Sequence, residues 1–501
     1  MFRKVLIANR GEIAVRIAAT LQQMGIRVIA VYSEPDQQSV HVGCADEAYP
    51  LTGRTAAETY LCQEQILAIA KEHEVGAIHP GYGFLSENSV FAQACHDAGI
   101  TFIGPSAQVI RAMGDKIQAK AAFAKAGVPV VPGWSGEIGG NDGAVMREAK
   151  RIGFPVLVKA AAGGGGRGMR VVHDEGELAP ALESAQREAA AAFGDSRVFL
   201  EKYITHPRHV EFQIFGDRHG NVVHLFEREC SIQRRHQKIV EESPSPALSP
   251  ELRKQMGEAA VAAAKAVGYT NAGTVEFLVA PSGEFFFLEV NTRLQVEHPV
   301  TELVVGQDLV RAQVTVAVGE PLSFVQDDLH QVGCALECRI YAEDPARGFA
   351  PSTGVIDRYQ PPGGPGIRVD SGVAEGSTVS VHYDPMLAKL IVHARTRSEA
   401  IDRMSWALNR FAILGVTTNV AFLDRLVTHP EFRAGRLHTD FLQVQRLDDV
   451  CDPFSLDLAL AVAALAVGHD KARHRHGRSA SVEPASSPSG PWHGAGAWRA
   501  F

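Results

Sequence analysis

The sequence predicts an α/β (α+β) protein with a parallel α/β layer at its N-terminus, a strand-rich middle and a mixed C-terminal region. Three observations predict it. Residues 2–110 alternate short β-rich runs with helical patterns, which argues for parallel strands joined by helices. From Asp115 strand patterns dominate and read as antiparallel. Residues 331–447 then mix strands with a helix over Ser398 to Phe411.

The elements follow in order. Lys4 to Asn9 reads as a strand, Glu12 to Met24 as a helix and Arg27 to Tyr32 as a second strand. Ala77 to His79 and Thr101 to Ile103 mark later strands. Gly11 follows the first strand without a G-x-G-x-x-G, so it reads as a tight turn of the fold itself. Beyond Asp115 come a helix (Lys116 to Ala126), a Gly-rich break at 139–143 and a helix over Ala144 to Ile152. Five strands are then expected: Pro155 to Lys159, Met169 to His173, Val198 to Tyr203, Val210 to Phe215 and Val222 to Glu227. A helix over Glu251 to Val267 leads to a hairpin, Gly273 to Ala280 with Glu284 to Asn291, around Ser282-Gly283. The expected domains are 1–114, 115–330 with a lid at about 131–204, and 331–447. Residues 448–501 read as a flexible linker and the start of a further unit.

Composition narrows the function. Of 501 residues 46% are hydrophobic, and 49 basic against 57 acidic residues leave a net charge of -8. That balance argues against a nucleic-acid or membrane-surface binder. The seven cysteines are scattered, odd in number and without a C-x-x-C pair, so neither a disulfide framework nor a zinc site is expected. The apolar runs near Val5 and over 456–467 are too short for a secretory core or a bilayer span. A cytoplasmic protein is expected.

The chemistry concentrates in four places. Lys159 precedes a glycine run, Gly163 to Gly166, and then Arg167-Gly168-Met169, between two strand patterns. This is no P-loop, which leads into a helix. A glycine-rich turn between strands makes a flap whose bare N–H groups close over phosphates. In the hairpin, a two-residue Ser282-Gly283 turn places Glu276 directly opposite Glu289, with Asn291 on the same face. Two carboxylates and an amide oxygen on a rigid sheet suit a hard cation such as Mg²⁺. Arg293, Gln295 and Glu297 then offer anion donors and a base, the combination a small acid such as bicarbonate requires. Finally Arg228, Arg234, Arg235, His236 and Lys238 gather positive charge around Gln233, read as anion binding in a cleft. Lys116 and Lys159 are further candidate phosphate partners.

Together these residues resemble the ATP-grasp superfamily, and within it the biotin carboxylases. The resemblance is carried by Ile7 to Ala14, His79 to Asn88, Gly163 to Met169, Glu229 to Lys238 and Glu289 to Glu302. It implies an ATP-grasp fold and carboxylation of biotin by ATP and bicarbonate through carboxyphosphate. By resemblance, Lys116, Lys159, Gly164, Gly165, Gly166, Met169, His209, Gln233, His236, Glu276, Leu278 and Glu289 contact ATP or its metals. Glu201, Lys202, Tyr203 and Ile204 hold the adenine. Glu276, Glu289 and Asn291 ligate Mg²⁺ or Mn²⁺, two ions in all. Lys238, Arg293, Gln295 and Val296 hold bicarbonate with Glu297 as base, Arg339 stabilises the biotin enolate, and Tyr82 lies along the biotin pocket.

The resemblance further implies biotin tethered to a carrier protein or domain, a carboxyltransferase subunit and a homodimer. No Met-Lys-Met carrier motif occurs, so the carrier is expected on another chain or on a longer form of this one. Pro491 to Arg499 is similar to the start of the inter-subunit domain in methylcrotonyl- and propionyl-type acyl-CoA carboxylase α subunits. The rivals are another ATP-grasp ligase acting on a carboxylate or bicarbonate, or a catalytically silent nucleotide-binding subunit. The silent subunit predicts loss of Lys238, Glu297 or Arg339, and all three are present.

Overall fold

In the computed structural model the first strand, Lys4–Ile7, is the centre of a five-stranded sheet. Its neighbours are Arg27–Tyr32 and Ala77–His79, and the outer strands are Glu47–Pro50 and Thr101–Phe102. Every pairing is parallel. Successive side chains of a strand face opposite ways. Val5 and Ile7 accordingly join one buried cluster, while Leu6 and Ala8 join another across the sheet. Burial on both faces is why the strand reads as a continuous apolar run. The structure describes residues 1–136, 142–161, 169–235 and 237–447. The flap glycines Gly164, Gly165 and Gly166, together with His236 and the 448–501 tail, lie outside them.

The middle of the chain builds an eight-stranded antiparallel sheet. In order across it run Phe285–Asn291, Asn271–Val279, Arg208–Gly216, Val222–Arg234, Gln237–Ser243, Cys334–Tyr341, Met386–Ala394 and Ile367–Ser371. The sheet therefore runs across position 330, since its last three strands come from the C-terminal region. A separate four-stranded antiparallel sheet joins Gly133–Trp134, Val198–Lys202, Val156–Ala160 and Arg170–Val172. The helices Asp142–Ile152 and Glu175–Phe193 belong to the same region. Their buried residues share one core with the sheet, including Ala149, Val158, Leu178 and Leu200.

Helix starts follow local chemistry. Asp115 caps Lys116–Lys125, its carboxylate accepting from the backbone N–H groups of Ile117 and Gln118, which satisfies two otherwise unpaired donors. That cap fixes where Lys116 emerges.

Candidate active site

A cavity of about 580 Å³ opens between the four-stranded sheet and the large sheet. Among the described candidates, all but Glu297, Tyr82, Arg228 and Arg234 line it. Lys159 and Met169 come from the four-stranded side, and His209, Gln233, Lys238, Glu276 and Glu289 from the large sheet. Ile204 and Tyr203 lie on the wall after the strand Val198–Lys202, with Leu278 also lining the space.

The hairpin delivers its carboxylates by a route the sequence reading did not foresee. The turn has three residues, not two: Gly283 N donates to Ala280 O, Ala280 N donates to Glu284 O, and Gly283 sits at φ +89°. Such a turn ends in a left-handed residue, which glycine adopts without a Cβ penalty. It shifts the register by one residue, so Leu278 faces Phe286 and Phe277 faces Phe287. An irregularity between Glu276 and Phe277 restores the register, and Glu276 does stand opposite Glu289. The expected pairing is right, but the two-residue turn is corrected.

Like charges so placed need cations. Lys116 Nζ lies 3.2 Å from Glu289, and Lys238 Nζ lies 2.8 Å from Glu276. His209 Nε2 lies 2.9 Å from the other Glu276 oxygen. Asn291 donates to Glu276 at 2.8 Å while its own amide oxygen accepts from Arg293. Burial alone raises the Glu276 pKa, but Lys238 and His209 hold it well below the usual carboxylate range. Two carboxylates and an amide oxygen clustered at an open wall fit a hard, oxygen-seeking cation.

Lys238 is the hub. Besides Glu276 it bonds Glu297 at 2.8 Å and Glu211. Burial lowers its pKa, yet the three carboxylates raise it well above the normal lysine value, so the ammonium stays charged. Glu297 is fully buried, and its second oxygen accepts from Arg339 at 3.0 Å. Burial works to raise Glu297 as well, but Lys238, Arg339 and Arg228 hold it well below its ordinary value. A carboxylate kept ionised between two cavity-lining cations is a base that needs no prior deprotonation.

Several candidates are engaged otherwise than expected. Arg228 is fully buried, bonding Glu211 at 2.6 Å, Gln213, Thr274 and Thr301. Arg234 pairs with Glu343 and lies over the Phe349 ring. The basic cluster therefore splits: of its described members only Arg235 and Lys238 face the cavity. Lys159 and Lys120 both hold Glu201, at 3.0 and 2.8 Å. Lys202 turns its ammonium to the Gly153 and Phe154 carbonyls. Arg293 is held by Glu87 at 2.9 Å. Tyr82 donates to Glu12, away from the cavity wall.

Sequence reasoning missed Glu211, Glu241, Glu12 and Lys389. Glu211 was findable: His209, Glu211 and Gln213 alternate along one face of an otherwise apolar strand. Glu241 holds Arg339 at 2.7 Å, and burial, with Arg339 offsetting it only in part, pushes its pKa up to about 7. Cys338 is buried and Cys334 half-buried, both free.

Three family models cover the chain: the biotin carboxylase N-terminal domain at residues 1–110, the ATP-binding domain of the carbamoyl-phosphate synthase L chain at 115–325, and the biotin carboxylase C-terminal domain at 337–444. The fold these models describe is that of an ATP-dependent ligase. The chain belongs to the biotin carboxylase family. It is 50% identical over 500 residues to the mitochondrial methylcrotonoyl-CoA carboxylase subunit alpha of Dictyostelium discoideum, covering 99% of this chain and 70% of that one. Against the corresponding Arabidopsis thaliana subunit it is 52% identical, covering 94% of this chain and 64% of the relative. Biotin carboxylase 1 of Bacillus subtilis is 51% identical over 88% of this chain and 98% of its own length.

Two solved structures are similar throughout. One is the biotin carboxylase domain dimer of Hydrogenobacter thermophilus 2-oxoglutarate carboxylase, in complex with MgADP, ADP and bicarbonate. Its TM-score is 0.87 at 48% identity, covering 90% of this chain and 100% of that one. The other is a Campylobacter jejuni biotin carboxylase complex, with a TM-score of 0.86 at 45% identity, covering 89% and 99%. Among the described residues no helix is long and apolar enough to cross a membrane.

Proposed function

We propose that Glu297 is the base of the biotin carboxylase half-reaction and that Lys238 and Arg339 work on either side of it. The observation that carries this is the junction itself: one buried carboxylate with Lys238 on one oxygen and Arg339 on the other. Bicarbonate enters beside Lys238, Arg293, Gln295 and Val296, where Glu297 accepts its proton. The bicarbonate oxygen then attacks the γ-phosphate of ATP, releasing ADP and forming carboxyphosphate. Lys116, Lys159 and His209 face the phosphates, and Tyr203, Ile204, Met169 and Leu278 face the adenine. Glu276, Glu289 and Asn291 are the oxygen donors that hold Mg²⁺ or Mn²⁺, which when bound neutralises charge on the phosphoryl oxygens. Carboxyphosphate yields CO₂ and phosphate, the phosphate takes the N1 proton of biotin, and Arg339 pairs with the enolate that captures CO₂. The flap around Gly164, Gly165 and Gly166, with His236, completes the phosphate side in this reading.

We further propose that biotin reaches the site on a carrier protein or domain and that a carboxyltransferase consumes the product, in an assembly of the methylcrotonoyl-CoA type. The identity to such α subunits supports this. A homodimer through this region is supported by the dimeric Hydrogenobacter domain. The division at 114, 330 and 447 belongs to the same proposal. So does a cytoplasmic location; the Dictyostelium discoideum and Arabidopsis thaliana relatives carry mitochondrial in their names, and fractionation decides between the two. ADP release that needs bicarbonate and rises with free biotin tests the reading; ATP binding without biotin-dependent turnover overturns it.

A further inference from the structure

One charged, buried face of the large sheet packs against the helix His298–Val305. On it Arg339 stands directly opposite Lys389 of the next strand. Like charges opposed on a buried face need separate counter-charges, and here they have them. Arg339 takes Glu241 and Glu297. Lys389 takes Glu12 at 3.2 Å and Asp370 at 3.7 Å.

Lys389 is 0% exposed, and its ammonium also donates to the backbone carbonyl of Val296 at 2.8 Å, the residue just before Glu297. The Val296 carbonyl accepts a hydrogen bond from the ammonium, while Glu12 and Asp370 are its ion-pair partners. Glu12 comes from the first turn of the helix Gly11–Gln23, at the other end of the chain. The oxygen that meets Lys389 is the one that accepts from the Tyr82 hydroxyl. The second Glu12 oxygen is buried without a partner among the described residues. One carboxylate oxygen is thus shared between Tyr82 and the lysine that holds the Val296 carbonyl.

We propose that the Glu12–Lys389 pair is a clasp positioning both sides of the site, the Gln295–Glu297 run on the bicarbonate side and Tyr82 on the biotin side. It rests on the function proposed above and adds two positioning residues to it. Because Glu12 Oε1 is common to both contacts, an occupant beside Tyr82 bears on the carbonyl next to the base.

The test uses the full chain with Glu12→Gln, Lys389→Met and Lys389→Arg. ATP affinity is measured directly, and ADP release is followed against bicarbonate and against free biotin. Lys389→Met is expected to raise the KM for bicarbonate about tenfold or more, and Glu12→Gln the KM for biotin by a similar factor, with ATP affinity within about twofold of wild type. Lys389→Arg recovers part of the bicarbonate effect. Glu12→Gln keeps the side chain's shape but removes the charge that Tyr82 and Lys389 share, and it carries the test alone if Lys389→Met does not fold. Variants that bind ATP normally and keep both Michaelis constants overturn the clasp, even if their melting temperatures fall. Wild-type enzyme without biotin-stimulated turnover overturns the proposed function instead.

Discussion

Replacing Glu297 by Gln keeps the side chain's shape and removes its charge, so structure and chemistry separate. Lys238 retains Glu211 and Glu276, and Arg339 retains Glu241. No buried cation is orphaned, but the new amide must point its NH₂ toward one of them. Losing one charge-assisted bond in this way costs about 1–3 kcal/mol of stability. Glu241 softens that cost: the Glu297 charge is one of the influences raising its pKa, so the substitution favours the ionised Glu241 beside Arg339. The catalytic loss is larger. General base catalysis contributes about 10²–10⁴-fold, or roughly 3–5 kcal/mol of barrier. Glu297 does not line the nucleotide cavity, so the Kd for ATP is expected to change by less than about threefold. Calorimetric ATP titration, a thermal melt and steady-state ADP release read the three quantities independently. Turnover within about fivefold of wild type, with ATP affinity intact, would refute the assignment of the base.

Three further outcomes are expected. Arg228→Met strips Glu211 of a full buried partner and should destabilise the protein by about 3–5 kcal/mol in urea melts; a change under about 1 kcal/mol contradicts the structural role given to it. Glu289→Gln should raise the Mg²⁺ concentration for half-maximal ADP release about tenfold or more while a melt stays near wild type; an unchanged Mg²⁺ dependence removes Glu289 from the metal site. His41 and His79 are buried, and burial pulls each pKa down to about 4. The unfolded chain binds those protons near pH ~6.5, before the folded one does. Stability is therefore whole above that pH and lost as pH falls toward about 4, by up to ~3 kcal/mol per site. Urea midpoints at pH 7.5 and about 5 measure it, and a flat profile contradicts it.

How much of this could be read in the sequence depends on the range of the interaction. Arg27–Tyr32 and Ala77–His79 form as strands where the pattern puts them, because β-rich runs between turns carry their own signal. The opposition of Glu276 and Glu289 was legible from parity along two strands. Its turn was not, because Pro281 joins Ser282 and Gly283 in the loop and a compensating irregularity sits further up the hairpin. Arg228 and Arg234 looked like cleft cations because charge is visible in a sequence while burial against Glu211 or Phe349 is not. Glu241 and Lys389 had no local signal at all, and Glu12 had none beyond its place in the Ile7 to Ala14 motif. Their meaning comes from cross-strand neighbours such as Arg339 and Lys389, which exist only once distant strands pair. Most of the cavity wall was legible; the charged layer beneath it was not.

The central claim is that the junction of Lys238, Glu297 and Arg339 fixes bicarbonate carbon onto biotin. Incubating the chain with Mg²⁺ATP, free biotin and isotopically labelled bicarbonate, then trapping carboxybiotin, measures it directly. The account predicts label in biotin in step with ADP released, and none with Glu297→Gln or without ATP. ADP release with no label entering biotin would contradict it.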